Sequence, residues 1–164
     1  MIKYLFCDWQ CNVGIHIKLF LLLFRINKYL YLKKSKLIGV PFNFMFKAVG
    51  LFIFHIELPV TLIVGKRIRI FHGHGIVVHE SSILGDDVVL RQGVTIGNKT
   101  AGGRCPKVGN RVDIGANAVL IGDIIVGSDT AIGAGAVVTK CVPDQMVIVG
   151  SSGRLLPRKI EKLD

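Results

Sequence analysis

The chain has 164 residues, 51% of them hydrophobic and only 20% charged, with a mean hydropathy of +0.53. That composition excludes a disordered, highly solvated chain and leaves one compact domain or a membrane-attached one. The net charge of +10, from 21 basic and 11 acidic residues, suits an anionic partner: nucleic acid, an acidic membrane or a phosphorylated cofactor. Glycine is in excess at 19 residues, but there is no Gly-X-Y period and collagen is excluded. The four cysteines, Cys7, Cys11, Cys105 and Cys141, form no CxxC pair and are too few for a disulfide scaffold; they read as reduced thiols of a cytoplasmic protein.

The averages conceal two architectures. Residues 1–60 hold 12 of the 13 aromatics and 3 of the 19 glycines, with a charge of +6; residues 61–164 hold one aromatic, Phe71, and 16 glycines, with a charge of +4. The expected organisation is a basic, aromatic-rich helical segment over 1–57, a repeat domain over 58–145 and a C-terminal tail over 146–164.

In chain order, residues 15–32 (IHIKLFLLLFRINKYLYL) come first. Lys18 and Arg25 interrupt the apolar run too close to its centre for a spanning helix, which needs about 20 mostly apolar residues. No small-residue cleavage site follows, which argues against a secretory signal. One or two amphipathic helices are expected, flanked by Lys28, Lys33, Lys34 and Lys36. Their apolar face either packs on the protein or a sister subunit, or makes a peripheral contact with an anionic membrane through residues 15–36 at its inner, cytoplasmic face. Gly39 and Pro41 then read as a break, residues 42–56 as a second apolar helix or strand, and Pro59 as its close.

From Leu58 a period of six sets in. Aliphatic residues fall at Leu58, Val64, Ile70 and Ile76; after a two-residue shift they fall at Leu84, Leu90, Ile96, Val108, Ile114, Leu120, Val126, Ile132 and Val138. Glycine often follows the aliphatic, and the position four after it is small or β-branched, as at Val88, Ala118, Thr130 and Ala136. A helix requires a period of 3.6 and a half-buried strand a period of 2. Period six is the mark of a hexapeptide β-helix, in which three hexapeptides make one triangular coil and each coil buries its core only against its neighbours. About five coils are expected. The stretch NKTAGGRCPK (98–107) lacks the core pattern but keeps the phase, and reads as a flap or as two degraded hexapeptides.

The repeat resembles the left-handed β-helix acyltransferases. The stretches IRIFHGHGIVVHESSILGDDVVLRQGVTIG (68–97), GGRCPKVGNRVDIGANAVLIGDIIVG (102–127) and AIGAGAVVTKCVP (131–143) are similar to the serine acetyltransferase family, most of all to its short members in capsule and exopolysaccharide gene sets. The implied fold is mainly β: a left-handed parallel β-helix preceded by short N-terminal helices. The implied activity is direct transfer of acetyl from acetyl-CoA to an acceptor hydroxyl, in a homotrimer with clefts between neighbouring β-helices.

Carried over position by position, the family's catalytic histidine falls on His72, just before GIVV. A neutral imidazole, with an unperturbed pKa near 6.5, suits a base that removes a hydroxyl proton near neutrality. Candidate substrate-binding residues are Phe71, His74, Glu80, Arg104 and Cys105. Gly115, Gly133, Ala134, Gly135, Lys140 and Arg154 are the candidates for the coenzyme, with glycines admitting the pantetheine arm and cations meeting phosphates. His72, His74 and His79 share a segment, but no Cys or carboxylate lies at a familiar ligand spacing and no metal is expected. Phe71 replaces the family's Asp and Cys105 the second His of its acceptor loop, and both differences shift the expected acceptor from L-serine to a sugar in surface polysaccharide biosynthesis. Serine O-acetylation and a non-catalytic binding module are the alternatives. Nucleic acid is not expected, because no aromatics interleave with the basic residues of the repeat.

Overall fold

The computed structural model describes residues 2–34, 36–151 and 154–157; for Lys36 and residues 154–157 it describes the backbone. Three helices, the last continued by a π-helical turn, precede a long coiled sheet. Helix α1 (Ile2–Leu5) and α2 (Ile15–Leu32) precede α3 (Lys36–Val49), which runs into a π-helical turn (Gly50–Phe54). Fourteen short strands then wind a parallel solenoid: β1 (Ile56–Glu57), β2 (Ile63–Val64), β3 (Arg69–Phe71), β4 (Ile76–Val78), β5 (Ile83–Leu84), β6 (Val89–Arg91), β7 (Thr95–Gly97), β8 (Lys107–Val108), β9 (Asp113–Ile114), β10 (Val119–Ile121), β11 (Ile125–Val126), β12 (Ala131–Ile132), β13 (Val137–Val138) and β14 (Met146–Val149). A last strand, β15 (Arg154–Pro157), pairs antiparallel with β14.

Every third strand stacks on the same face. Face 1 is β1-β4-β7-β10-β13, face 2 is β2-β5-β8-β11, and face 3 is β3-β6-β9-β12-β14-β15. Face 2 is continued by a bridge between Val126 and Val142, which completes about five turns. The period of six is the reason. Two inward residues per face, one aliphatic and one small, fill a triangular interior, and the turn takes the remainder. Ile76, Val78, Leu90, Ile96, Ile114, Leu120 and Val126 are fully enclosed, as are the small-position residues Val88, Val94, Val112, Ala118 and Ala136. Leu120 stacks directly between Ile96 and Val138. Gly65, Gly85 and Gly115 are explained by the same stacking: a Cβ at any of them would lie within 2.5 Å of a neighbouring coil's atoms.

The first coil has no coil above it, so its backbone groups need other partners. Side chains supply them. Asn12 donates to Ile68 O and accepts from the Ile70 N–H, and the Ile68 N–H donates to Asp8. Lys28 Nζ donates to Val60 O and Leu62 O, and Arg25 to Gly65 O. Asp8 and Arg25 form a buried, two-pronged ion pair, at 2.7 and 3.1 Å. Phe20, Leu21 and Phe24 of α2 join the solenoid's own core, with Phe46 of α3 stacked on Phe20.

Two expectations for this segment are corrected. Gly39 and Pro41 do not break the chain: α3 runs through both, and the reversal comes earlier, where Lys34 takes φ +52°. Residues 42–56 are not one element either. They complete α3 and the π-helical turn, then reverse at His55, in the left-handed region at φ +54°, into β1. Loop 98–106 holds no strand and turns on a Gly103 N–H bond to Thr100 O, so it is an excursion rather than two hexapeptides.

Candidate active site

The prism has three edges, and each candidate residue is assigned to one by the strands on either side of it. Between faces 3 and 1 lie the turns at 72–75, 92–94, 115–118 and 133–136. They form one column tied by backbone bonds: the Gly93 N–H to His74 O at 2.9 Å, the Asn117 N–H to Gln92 O and the Gly135 N–H to Ala116 O, both at 2.8 Å. His72 stands at the top of this column and Gly133, Ala134 and Gly135 near its foot.

The corner carrying His72 is unlike those beneath it. From Leu90 to Ile96, Ile114 to Leu120 and Ile132 to Val138 the chain advances six residues; from Ile70 to Val78, two buried equivalents, it advances eight. The two extra residues are accommodated as a protrusion. His72 takes φ +51°, a conformation that costs a non-glycine residue energy, and the His74 N–H closes back on His72 O at 2.7 Å. Gly73 lies underneath, where a Cβ would meet Ile56 Cδ1 at 2.5 Å. A larger residue would lift the corner off the core. His72 is therefore held out in solvent on a strained but well-supported turn. His74 is also exposed, with its ring 5.8 Å from that of His55. Phe71 points outward from face 3 beside them, under the Arg91 guanidinium, which is paired with Asp113.

The edge between faces 1 and 2 gathers a second group. Glu80 accepts a bond from Thr61 Oγ1 at 3.1 Å. Cys105, 4% exposed, sets its Sγ 3.2 Å from His79 Nδ1, which also accepts the Ser81 N–H at 3.1 Å. With Nδ1 accepting, the neutral ring carries its proton on Nε2. Burial raises the Cys105 thiol above its ordinary pKa. Arg104 is exposed and paired with Asp123 at 3.0 Å. Above them a cavity of about 450 Å³ opens between the helical segment and this edge, lined among others by Lys47, Leu51, Glu57, Pro59, His79 and Glu80.

The candidate residues thus divide between two edges. His72, His74 and the Gly133–Gly135 turn share one, with Phe71 alongside; Glu80, Arg104, Cys105 and Lys140 share the other. Lys140 follows β13 and so stands one face away from the glycines with which it was grouped. Gly115 is buried, and its lack of a side chain is accounted for by Ala134 N, 2.5 Å from where a Cβ would be. Gly135, at φ +68°, has open space around it, and Ala134 is exposed. The Arg154 side chain lies outside the described residues. No cluster of three or more metal-ligating side chains exists among the described residues. Lys47, Glu57, Arg91 and Asp113 were not anticipated. The signal for Arg91 was available, since it follows Leu90 as Phe71 follows Ile70; Lys47 and Glu57 come from a segment with no repeat to place them.

The third edge, between faces 2 and 3, is occupied by its own contacts. Arg67 grips Asp87 at 2.5 and 2.7 Å and Arg111 grips Asp129 at 2.6 and 2.8 Å, while Asp86, Asn110 and Asp144 cap backbone N–H groups of adjacent turns. The hydrogen bonds from Arg67 hold the Asp87 carboxyl below its ordinary pKa.

No protein-family model matches the chain. Known proteins do. Over 122 residues it is 35% identical to the colanic acid biosynthesis acetyltransferase WcaB of Escherichia coli K12, covering 74% of this chain and 75% of the relative. Over 103 residues it is 45% identical to the serine acetyltransferase of Mycobacterium tuberculosis H37Rv, covering 62% of this chain but only 45% of that enzyme. Among solved structures, a serine acetyltransferase in complex with CoA superposes with a TM-score of 0.79 at 28% identity, over 94% of this chain and 69% of that one. The stacked hexapeptide coils, the protruding histidine corner and these likenesses lead to one conclusion: the chain belongs to the serine acetyltransferase-like family of hexapeptide-repeat acetyltransferases.

Proposed function

We propose that the protein transfers acetyl from acetyl-CoA to a hydroxyl of a sugar acceptor in surface polysaccharide biosynthesis, with His72 as general base. The observation that carries this reading is the His72 corner. It is the one turn of its column that bulges by two residues, it holds an imidazole in solvent at a strained φ, and it stands above the open turn at Ala134–Gly135. That turn suits the slim pantetheine arm, because nothing lies within 4 Å of where a Gly135 side chain would be.

The step balances simply. The acceptor oxygen attacks the thioester carbonyl as the His72 ring takes the hydroxyl proton; the C–O bond forms, the C–S bond breaks, and the proton passes to the departing sulfur, leaving an acetyl ester and free CoA. Holding both substrates in one cleft supplies much of the remaining advantage.

The acceptor assignment rests on Phe71 and on the edge between faces 1 and 2. Phe71 offers an apolar ring where an acidic side chain would grip an amino acid, and Glu80 and Arg104 offer partners for hydroxyls and charge. In one chain the two edges flank face 1 and point apart. A cyclic homotrimer with face 1 turned to its axis sets the His72 edge of one copy against the Arg104 edge of the next. Of the outward positions in register on face 1, Glu57, Val77, Thr95, Val119 and Val137, only Glu57 of the first coil is charged, and the four below it offer an uncharged surface for such packing. The oligomer expected in solution is three chains of 18.0 kDa, measurable by light scattering.

The decisive test is acetyl-CoA-dependent release of CoA with nucleotide sugars, oligosaccharides and L-serine as acceptors. Turnover with a glycan and not with L-serine supports the proposal. Efficient O-acetylserine formation replaces it with serine O-acetylation, and failure to bind acetyl-CoA in calorimetry replaces it with a non-catalytic module.

A further inference from the structure

The N-terminal helices present an apolar surface that the acetyl-transfer reading leaves unused. Residues 15–36 are the stretch that the sequence offers for a membrane, and α2 within it turns most of its apolar face inward: Ile17, Phe20, Leu21 and Phe24 are buried in the core. The uncovered surface lies further on. Leu37, Val40, Phe44, Met45, Leu51 and Phe52 recur at helical spacing along α3 and its π-helical turn, and Leu37, Phe44 and Phe52 are 89, 78 and 74% exposed. The opposite side of the same helix is apolar too, with Phe46 and Gly50 buried against α2 and β1. A helix that is apolar all round is ordinarily enclosed; here one whole side is not, and so large an apolar patch marks an interaction surface.

The charges around it identify the occupant. Lys33, Lys34 and Lys47 are exposed beside the stripe. Among the first 60 residues the acids are Asp8, buried against Arg25, and Glu57. A twofold pairing of copies through this face would set a basic rim against the same basic rim, which opposes association. An anionic lipid surface satisfies both features at once: the aromatics and aliphatics enter the acyl boundary and the lysines meet the headgroups. The segment Leu37–Phe54 is also long and apolar enough to cross a bilayer by length and composition. It is held flat against the domain instead, since Phe46 stacks on Phe20 at 5.4 Å and α2 is bound to the first coil through Arg25 and Lys28.

We propose that the outward face of α3 and the π-helical turn docks the protein, lying in the plane of the interface, on an anionic membrane. The test is co-sedimentation of the full chain with phosphatidylcholine vesicles that either contain phosphatidylglycerol or lack it. Binding is expected to the anionic vesicles only and to weaken with added salt. Phe44→Glu with Phe52→Glu is expected to weaken it by about a hundredfold, roughly tenfold for each ring withdrawn from lipid. Lys33→Glu with Lys34→Glu is expected to remove the preference for anionic lipid while leaving the helices' circular dichroism unchanged. All four side chains are exposed, so the variants test the surface and not the fold. No binding to anionic vesicles, or binding indifferent to the phenylalanine pair, overturns the proposal. Lipid-free self-association that the phenylalanine pair abolishes also overturns it, in favour of a second copy of the chain.

Discussion

Asp8→Ala is expected to cost the folded state about 3–5 kcal/mol, the range for removing one partner of a buried ion pair. The Asp8 carboxylate accepts three bonds, from Arg25 Nε at 2.7 Å, from Arg25 Nη2 at 3.1 Å and from the Ile68 N–H at 2.9 Å. Its side chain is 3% exposed and that of Arg25 1%. Without Asp8 the guanidinium remains buried with Gly65 O as its acceptor, and Nη1 has none to begin with. The Ile68 N–H is also orphaned, at the coil that has no coil above it. Against a typical total of about 5–15 kcal/mol, this is a large fraction of the stability. Arg25→Met should cost a similar amount by stranding the carboxylate. The double variant removes both charges and fills part of the volume, so it should be less destabilised than the two single costs added together. Urea unfolding followed by circular dichroism gives the stabilities, and Trp9, the single tryptophan and the neighbour of Asp8 in the chain, reports the local transition. A cost below about 1 kcal/mol for Asp8→Ala, or strictly additive single costs, would refute the view that this pair ties the helical segment to the first coil.

Three further expectations follow from the same contacts. Leu120→Ala, which opens a cavity between Ile96 and Val138, should destabilise by about 2–5 kcal/mol in the same unfolding assay, whereas Lys107→Ala on the outward side of face 2 should change little. The hydrogen bonds from Arg67 lower the Asp87 pKa in the folded state, so their contribution is present above the ordinary carboxylate range and is lost as pH falls through the depressed value. Melting temperatures of wild type and Arg67→Gln should therefore differ at neutral pH and converge in acid; a gap that persists in acid speaks against the pair. Alkylation by iodoacetamide under native conditions, mapped by peptide mass, should reach exposed Cys141 first and Cys105 last among the four cysteines: burial raises the thiol pKa of Cys7, Cys11 and Cys105 alike, and of these only Cys105 is fully enclosed.

The solenoid was legible because its code is local and repeated: an aliphatic every six residues can enclose itself only by stacking, and residues from Leu84 to Val138 kept that phase. The two-residue shift between Ile76 and Leu84 was visible as well, but as a break in a pattern. That it is a protruding corner under His72 follows only once Ile70 and Val78 are seen to occupy equivalent places. Phase also determines which edge each candidate occupies, so the distance between His72 and Arg104 around the prism was implicit in the numbering. The helical segment was far less legible. Asp8, Asn12 and Arg25 meet backbone groups 40 to 60 residues away, and no periodicity announces a side chain that completes another strand's hydrogen bonds. Pro41 misled because a proline past the first helical turn ordinarily ends or kinks a helix, and α3 continues through it. The two apolar helices looked alike, and only the packing of Phe20 and Phe24 decides that α2 is covered while the outer side of α3 is not.

The central claim is that His72 removes the acceptor proton. The direct measurement is the rate of CoA release from acetyl-CoA by His72→Ala, with an acceptor that the wild-type protein uses, alongside calorimetric affinity for acetyl-CoA. The account predicts a fall of about 10²–10⁴-fold in kcat with acetyl-CoA affinity preserved. Full turnover by the variant, with coenzyme affinity unchanged, would contradict it.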